Sequence, residues 1–319
     1  MKSNLLWHAT AILLAALFLT ITSLQYAQAE EQPAIPKGEV AYTENGNDTC
    51  LNCHNTPSVT AILNTSHAQM ADSRTMFATH GCETCHGASP EHYKMTETEE
   101  WNPRPKITYG KNSPVPVSEQ NKICLDCHES GKRMNWRGSQ HQFADVSCVS
   151  CHAVHTSQDK VLSKLTQPSV CYACHSTQRA QALMFSRHPI NEGKVVCSDC
   201  HNSHGSFGPK LLVKETLNDS CYECHQEKRG PFLWEHAPVR EDCSNCHMSH
   251  GSAQPRLLKL RTPWLCQQCH LGAFHPSTVY SGTGVPPQGG ADRLLVQGCM
   301  NCHPQVHGSN HPSGIGLMR

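Results

Sequence analysis

The stretch VVCSDCHNSHGS, residues 195–206, places two thiols three positions apart, an imidazole directly after the second thiol, and a further imidazole three residues on. Near copies recur as EDCSNCHMSHGS at 241–252 and VSCVSCHAVHTS at 146–157. Two thiols at this spacing can form thioethers to both vinyl groups on one edge of a porphyrin. The adjacent histidine then falls beneath the iron as its proximal ligand. The histidine three residues on cannot reach around to the far face of the same porphyrin, so it is expected to ligate a neighbouring one. A repeated motif of this kind is a device for stacking haems.

All 20 cysteines obey this one pattern, CxxCH. The copies are Cys50 and Cys53 with His54; Cys82 and Cys85 with His86; Cys124 and Cys127 with His128; Cys148 and Cys151 with His152; Cys171 and Cys174 with His175. They continue as Cys197 and Cys200 with His201; Cys221 and Cys224 with His225; Cys243 and Cys246 with His247; Cys266 and Cys269 with His270; Cys299 and Cys302 with His303. Disulfides give no reason for a histidine after every second cysteine. Zinc uses the same ligand types but gives no reason for ten identical copies with no cysteine left over. The expectation is ten covalently attached haem c groups.

Twelve histidines stand outside the motifs and the N-terminal apolar segment, and pairing the motifs organises them. Each first motif of a pair has no histidine shortly after it, each second motif is followed by one, and another lies between the two. Five tandem modules of the form CxxCH…H…CxxCH…H result. They supply His67 and His92, His141 and His155, His188 and His204, His236 and His250, then His275 and His307 as distal ligands. His80 and His311 are spare, and His311 competes with His307 for the last site. Regular spacing across modules sets these residues apart from scattered surface histidines. Methionine is disfavoured as an axial ligand, since no methionine repeats with the modules. Two histidines per iron leave no position open for a substrate.

The elements that must position these groups are sparse. Aromatic residues make up 6% of the chain and mean hydropathy is −0.48, too little apolar material for an ordinary core of this length. The fold class expected is therefore mostly irregular with short α-helices, an elongated body in which haems serve as the core. Residues 1–29 read as a signal peptide, with an apolar run at 9–21 and a small-residue cleavage site at 27–29. A polar lead follows at 30–49, then dihaem module 1 at 50–93, a Pro-rich linker at 94–123, and modules 2–5 with the C-terminal tail at 124–319. Short helices are expected at 176–188, within 56–70, and at NDSCYECH with Asp219 or Ser220 at its start. The linker reads as a solvated loop.

Basic and acidic residues balance at 26 each, but haem propionates would make the loaded protein acidic. No basic patch or aromatic ladder supports nucleic-acid binding. These features point to an electron carrier, with no catalytic residue to assign.

The motifs, the export signal, EKRGPFLWEHAPV (227–239), LCQQCH (265–270) and CHPQVHGSNHPSG (302–314) resemble the periplasmic decahaem cytochromes of the MtrA/DmsE family. The resemblance covers essentially the whole chain after the signal; His80 is an addition to the family pattern and the lead before Cys50 is short. It implies bis-histidine ligation at the positions above and insertion into a large outer-membrane β-barrel porin. Electrons would pass from a periplasmic or inner-membrane cytochrome donor to an extracellular multihaem cytochrome or a terminal reductase. A soluble periplasmic shuttle is the alternative, and a multihaem reductase a more distant one.

Overall fold

The computed structural model describes residues 42–93, 104–270, 299–301 and 303–315. All described residues fall in one compact unit, which begins at Tyr42. The expected signal peptide, most of the lead, residues 94–103 of the linker, and Cys302 and His275 lie outside the described residues.

Short helices and turns carry the motifs. The helices are α1 (Asn47–Leu51), α2 (Pro57–Thr60), α3 (Cys82–His86), α4 (Pro90–Tyr93), α5 (Val117–His128) and α6 (Gln140–Phe143). They continue as α7 (Gln167–Tyr172), α8 (Ser176–Gln181), α9 (Cys197–Cys200), α10 (Leu217–Tyr222), α11 (Ala237–Glu241) and α12 (Thr262–Gln267). Among the described residues there is no strand; pairing is limited to isolated bridges such as His201 with Leu212 and His247 with Leu258. No helix of the described residues is long and apolar enough to cross a membrane.

A regular division of labour appears. The first cysteine of each first motif (Cys50, Cys124, Cys171, Cys221, Cys266) lies within one of the helices α1, α5, α7, α10 or α12. Each second motif forms a single turn, α-helical at Cys82–His86 and Cys197–Cys200 and 3₁₀ at Cys148–Ser150, Cys243–Asn245 and Cys299–Asn301. A single turn is enough to bring both thiols of a CxxC onto one side.

The expected helices are present but shorter. Helix α8 ends at Gln181 instead of running to 188, because the chain must turn so that Ser186 can bridge Ser252. The start of α10 is a correction: its cap is Thr216, whose hydroxyl accepts from the Asp219 amide, and Asp219 lies inside the first turn. The linker is also not a uniformly solvated loop. Ile107 is buried, its amide donates to the His86 carbonyl, and the Tyr109 hydroxyl donates to the Cys85 carbonyl, so this segment packs onto the second motif of module 1.

The polypeptide's own core is thin. Eight apolar residues are buried among those described, among them Phe77, Trp136, Ile190 and Leu212, and none of the large side chains is wholly enclosed. Phe143, Phe185 and Phe207 are about four-fifths or more exposed, at 82%, 79% and 88%. Side-chain packing at this level does not hold a domain of this length together by itself.

Candidate haem-binding sites

Within every module the leading cysteines of the two motifs meet. The thiols of Cys50 and Cys82, Cys124 and Cys148, Cys171 and Cys197, Cys221 and Cys243, and Cys266 and Cys299 are neighbours, each close enough to shift its partner's ionisation. Between modules the trailing cysteines approach instead. Cys85 lies near Cys127, Cys151 near Cys174, Cys200 near Cys224 and Cys246 near Cys269, close enough for their charges to interact. The motifs therefore follow one another in space in the order they have in sequence. None of the described cysteines is in a disulfide.

What holds a module's two motifs together was not foreseen from sequence. Three residues before the first cysteine of modules 1, 2 and 4 stands an asparagine whose side-chain oxygen accepts the amide N–H of the second motif's first cysteine. Asn47 receives Cys82 at 2.9 Å, Asn121 receives Cys148 at 2.8 Å and Asn218 receives Cys243 at 2.7 Å. Module 3 has Pro168 at that position, and Gln167 one residue earlier takes over, accepting from the Ser198 amide at 3.0 Å. The signal is legible as NDTC, NKIC and NDSC, a repeated asparagine three residues before the first cysteine.

Histidine rings then face one another in pairs. His54 opposes His92 at a centroid separation of 5.9 Å, His67 opposes His128 at 6.0 Å and His86 opposes His155 at 6.3 Å. His141 opposes His175 at 6.1 Å, His152 opposes His204 at 6.0 Å and His188 opposes His225 at 6.4 Å. His201 with His250, His236 with His270 and His247 with His307 are each 6.1 Å apart. An iron between two imidazoles, with metal–nitrogen bonds of about 2.0 Å and the half-width of each ring beyond them, asks for about 6 Å between ring centres. The donor set fits haem: every pair joins a CxxCH histidine to one outside the motifs. No cluster of three or more cysteine, histidine or carboxylate groups suited to a bare metal ion occurs among the described residues.

The pairing follows a rule. A histidine between motifs reaches forward to the first motif of the next module, as His67, His141, His188 and His236 do. A histidine after a second motif reaches back to the second motif of the previous module, as His155, His204, His250 and His307 do. His92, with no module before it, turns to His54 of its own. The two spares fall elsewhere. His80 stacks on Tyr42 at 3.6 Å, and the His311 carbonyl accepts from the Trp234 indole while its ring accepts from the Ser313 amide. His307, not His311, faces His247.

Hydrogen bonds fix which ring nitrogen points inward. The Nδ1 atoms of His86, His201 and His247 lie 3.0, 3.0 and 2.9 Å from the carbonyls of Ile107, Lys210 and Arg256. Those of His141, His188 and His236 lie 2.8, 2.9 and 3.0 Å from the carbonyls of Ser203, Ser249 and Val306. A carbonyl can only accept, so each Nδ1 carries the proton and Nε2 keeps its lone pair for a metal. Ser203, Ser249 and Val306 immediately precede His204, His250 and His307, so these bonds tie neighbouring histidine pairs together.

Burial is the main cause that pushes the imidazoles of His86, His204, His247, His250 and His307 below their ordinary range. The neutral ring this favours is the form that binds a metal. Close backbone approach also needs glycine after two of these histidines, His204 and His250. A Cβ on Gly205 (φ +106°) would lie 2.1 Å from the Asn135 carbonyl oxygen, and one on Gly251 would lie 1.9 Å from that of Gln181.

Comparison with known proteins agrees with this geometry. The family described as doubled CXXCH motif matches residues 188–230 and 236–273, cytochrome c-type protein NrfB-like matches 82–167, and cytochrome c554 and c-prime matches 17–87. The multiheme cytochrome MtrA of Shewanella baltica is 48% identical over 282 residues, covering 87% of this chain and 83% of that protein. The cytochrome c-type protein NrfB of Haemophilus influenzae is 28% identical over 31% of this chain and 45% of its own length. A high-molecular-weight cytochrome c of Nitratidesulfovibrio vulgaris is 23% identical over 39% and 28%. With CxxCH turns strung in order, histidines facing across the width of an iron, and near half of the aligned residues shared with MtrA, the chain belongs to the multihaem c-type cytochromes of the MtrA family and is an electron carrier.

Proposed function

We propose that ten haem c groups are attached, one at each CxxCH, and that each iron is clasped by two histidines in the pairs described. By elimination we assign His275 to the iron at His303. With both axial positions filled, no iron is left to bind a substrate, and the protein's work is to pass electrons from haem to haem along the chain.

The observation that carries this reading is the interleaving of the histidine pairs. Because each interior module ligates the irons of its neighbours, neighbouring porphyrins cannot separate without breaking iron–nitrogen bonds. The cysteine ladder supports a haem order that follows the chain.

The mature protein would begin at Glu30 and work in the periplasm, inserted in a large outer-membrane β-barrel porin. Large barrels hold plugged lumens, and a file of haems suits such a plug. Electrons would arrive from a periplasmic or inner-membrane cytochrome and leave to an extracellular multihaem cytochrome or a terminal reductase. Affinity purification from outer membranes, followed by reconstitution into liposomes holding an internal redox dye, tests it. Co-purification with a barrel and dye reduction by an external donor are expected. A protein that purifies alone and leaves the dye oxidised would favour the soluble shuttle.

A further inference from the structure

Four second-motif histidines are described with their Nδ1 partners, and one partner differs in kind. His86, His201 and His247 each meet a backbone carbonyl, whereas His152 meets the carboxylate of Asp159, with Nδ1 and Oδ2 at 2.7 Å. Asp159 is held for this contact. Its side chain is only 12% exposed, and its other oxygen accepts the amides of Ala153 and Val161, both at 3.3 Å.

The repeat shows how the difference arises. Modules 3 and 4 carry GPKLL at 208–212 and QPRLL at 254–258, where Lys210, Leu211, Arg256 and Leu257 adopt positive φ between 52° and 61°. Those strained turns aim the Lys210 and Arg256 carbonyls at His201 and His247. Module 2 reads QDKVL at 158–162: the loop is one residue shorter, and aspartate stands in place of proline. Its lysine and valine are not in the positive-φ region, and the Asp159 side chain replaces the backbone as acceptor. A second carboxylate beside a motif histidine, Glu227, is 3.7 Å from His225 with both side chains more than half exposed, too long and too wet to act in the same way.

A buried carboxylate accepting from Nδ1–H draws the proton toward itself and makes the imidazole a stronger electron donor to its metal. We propose that Asp159 is a positioning residue that stabilises the ferric state of the haem at Cys148, Cys151 and His152. That haem becomes the lowest in potential of those held by His86, His152, His201 and His247. The inference rests on the reading that His152 and His204 share an iron. It gives the chain an uneven energy profile, with a step placed at the second motif of module 2.

The test is Asp159→Asn in the full-length haem-loaded protein, followed by spectropotentiometric titration with near-infrared magnetic circular dichroism. The full haem load by intact mass is expected. One haem's share of the amplitude should leave the low-potential end of the titration, its reduction equilibrium constant rising on the order of tenfold, or about 59 mV for one electron. The near-infrared band of that haem should move toward those of haems whose histidine meets a carbonyl. His204→Met separates the two ideas. If it alters one haem while Asp159→Asn changes nothing, Asp159 does not tune the site and the proposal is overturned. If both are silent, the shared iron at His152 and His204 is itself wrong. Should the Asn variant lose a haem, Asp159→Glu decides. Retention of the low potential supports the proposal, and a rise with the carboxylate still present refutes it.

Discussion

Asn218 accepts the amide N–H of Cys243 at 2.7 Å while its own amide group donates to the carbonyls of Val239 and Arg240 at 2.9 and 3.0 Å. One buried side chain thus ties the helix carrying Cys221 to the turn carrying Cys243. Asn218→Ala would leave three backbone groups without their partner in a low-dielectric setting, at a cost of about 1–3 kcal/mol. A lower denaturant midpoint with all haems still attached is expected. An unchanged midpoint would mean that the haem stack, and not this clamp, sets the spacing of the two motifs.

His204→Met tests the cross-module clasp on His152. All haems should remain by mass, because the thioethers are untouched, while one iron exchanges a nitrogen ligand for sulfur and rises in potential. Spectra and potentials identical to wild type would remove His204 from the ligand set.

Replacing Cys221 and Cys224 together by alanine should remove one haem by mass and lower the rate of electron transfer from end to end in reconstituted liposomes. Wild-type rates would contradict transfer in single file, since a missing site in the middle of a file lengthens the hop across it.

Gly205→Ala drives a methyl group into the Asn135 carbonyl, which a real Cβ cannot approach to 2.1 Å. The backbone must shift next to His204, and overpacking of this kind costs about 1–3 kcal/mol. The expected readout is a lower midpoint together with a disturbed ligand field at one haem. A perturbation spread over many haems would place the strain elsewhere.

Acid should weaken the fold in a set direction. Burial holds the imidazoles of His86, His204, His247, His250 and His307 below the ordinary value of 6.5, and ligation to iron acts the same way. The unfolded chain then binds more protons than the folded one as pH falls below about 6.5, so stability is full above that value and declines beneath it. Thermal unfolding followed through the Soret band should show a melting temperature that falls steadily below pH 6.5. A melting temperature flat down to pH 4 would contradict buried or ligated neutral histidines.

Sequence carried the chemistry of this protein further than its architecture. CxxCH is a local motif, so the thioether cysteines and proximal histidines could be read wherever they stood. The periodic placement of His141, His188 and His236 marked them as candidate ligands, and each faces a CxxCH histidine. Which motif histidine each faces was not legible, because that depends on how one module docks on the next. The forward reach of His141 to His175 and the backward reach of His204 to His152 exist only in three dimensions. Asn218 was passed over because asparagine is common before a helix, and its role shows only when the second motif folds back onto it. Residues 104–116 misled for a related reason: their proline and charge suggest solvent, yet Ile107 and Tyr109 are bound to the backbone of His86 and Cys85. The choice between His307 and His311 also needed the fold, where His307 faces His247 and the His311 carbonyl instead accepts from the Trp234 indole.

The paired clasp is tested most directly by near-infrared magnetic circular dichroism of the fully oxidised protein, with intensity calibrated per polypeptide. Charge-transfer intensity for ten low-spin ferric haems, all at bis-imidazole energies, is expected, with no high-spin signal. Intensity for distinctly fewer haems, or a high-spin component amounting to one iron, would contradict it.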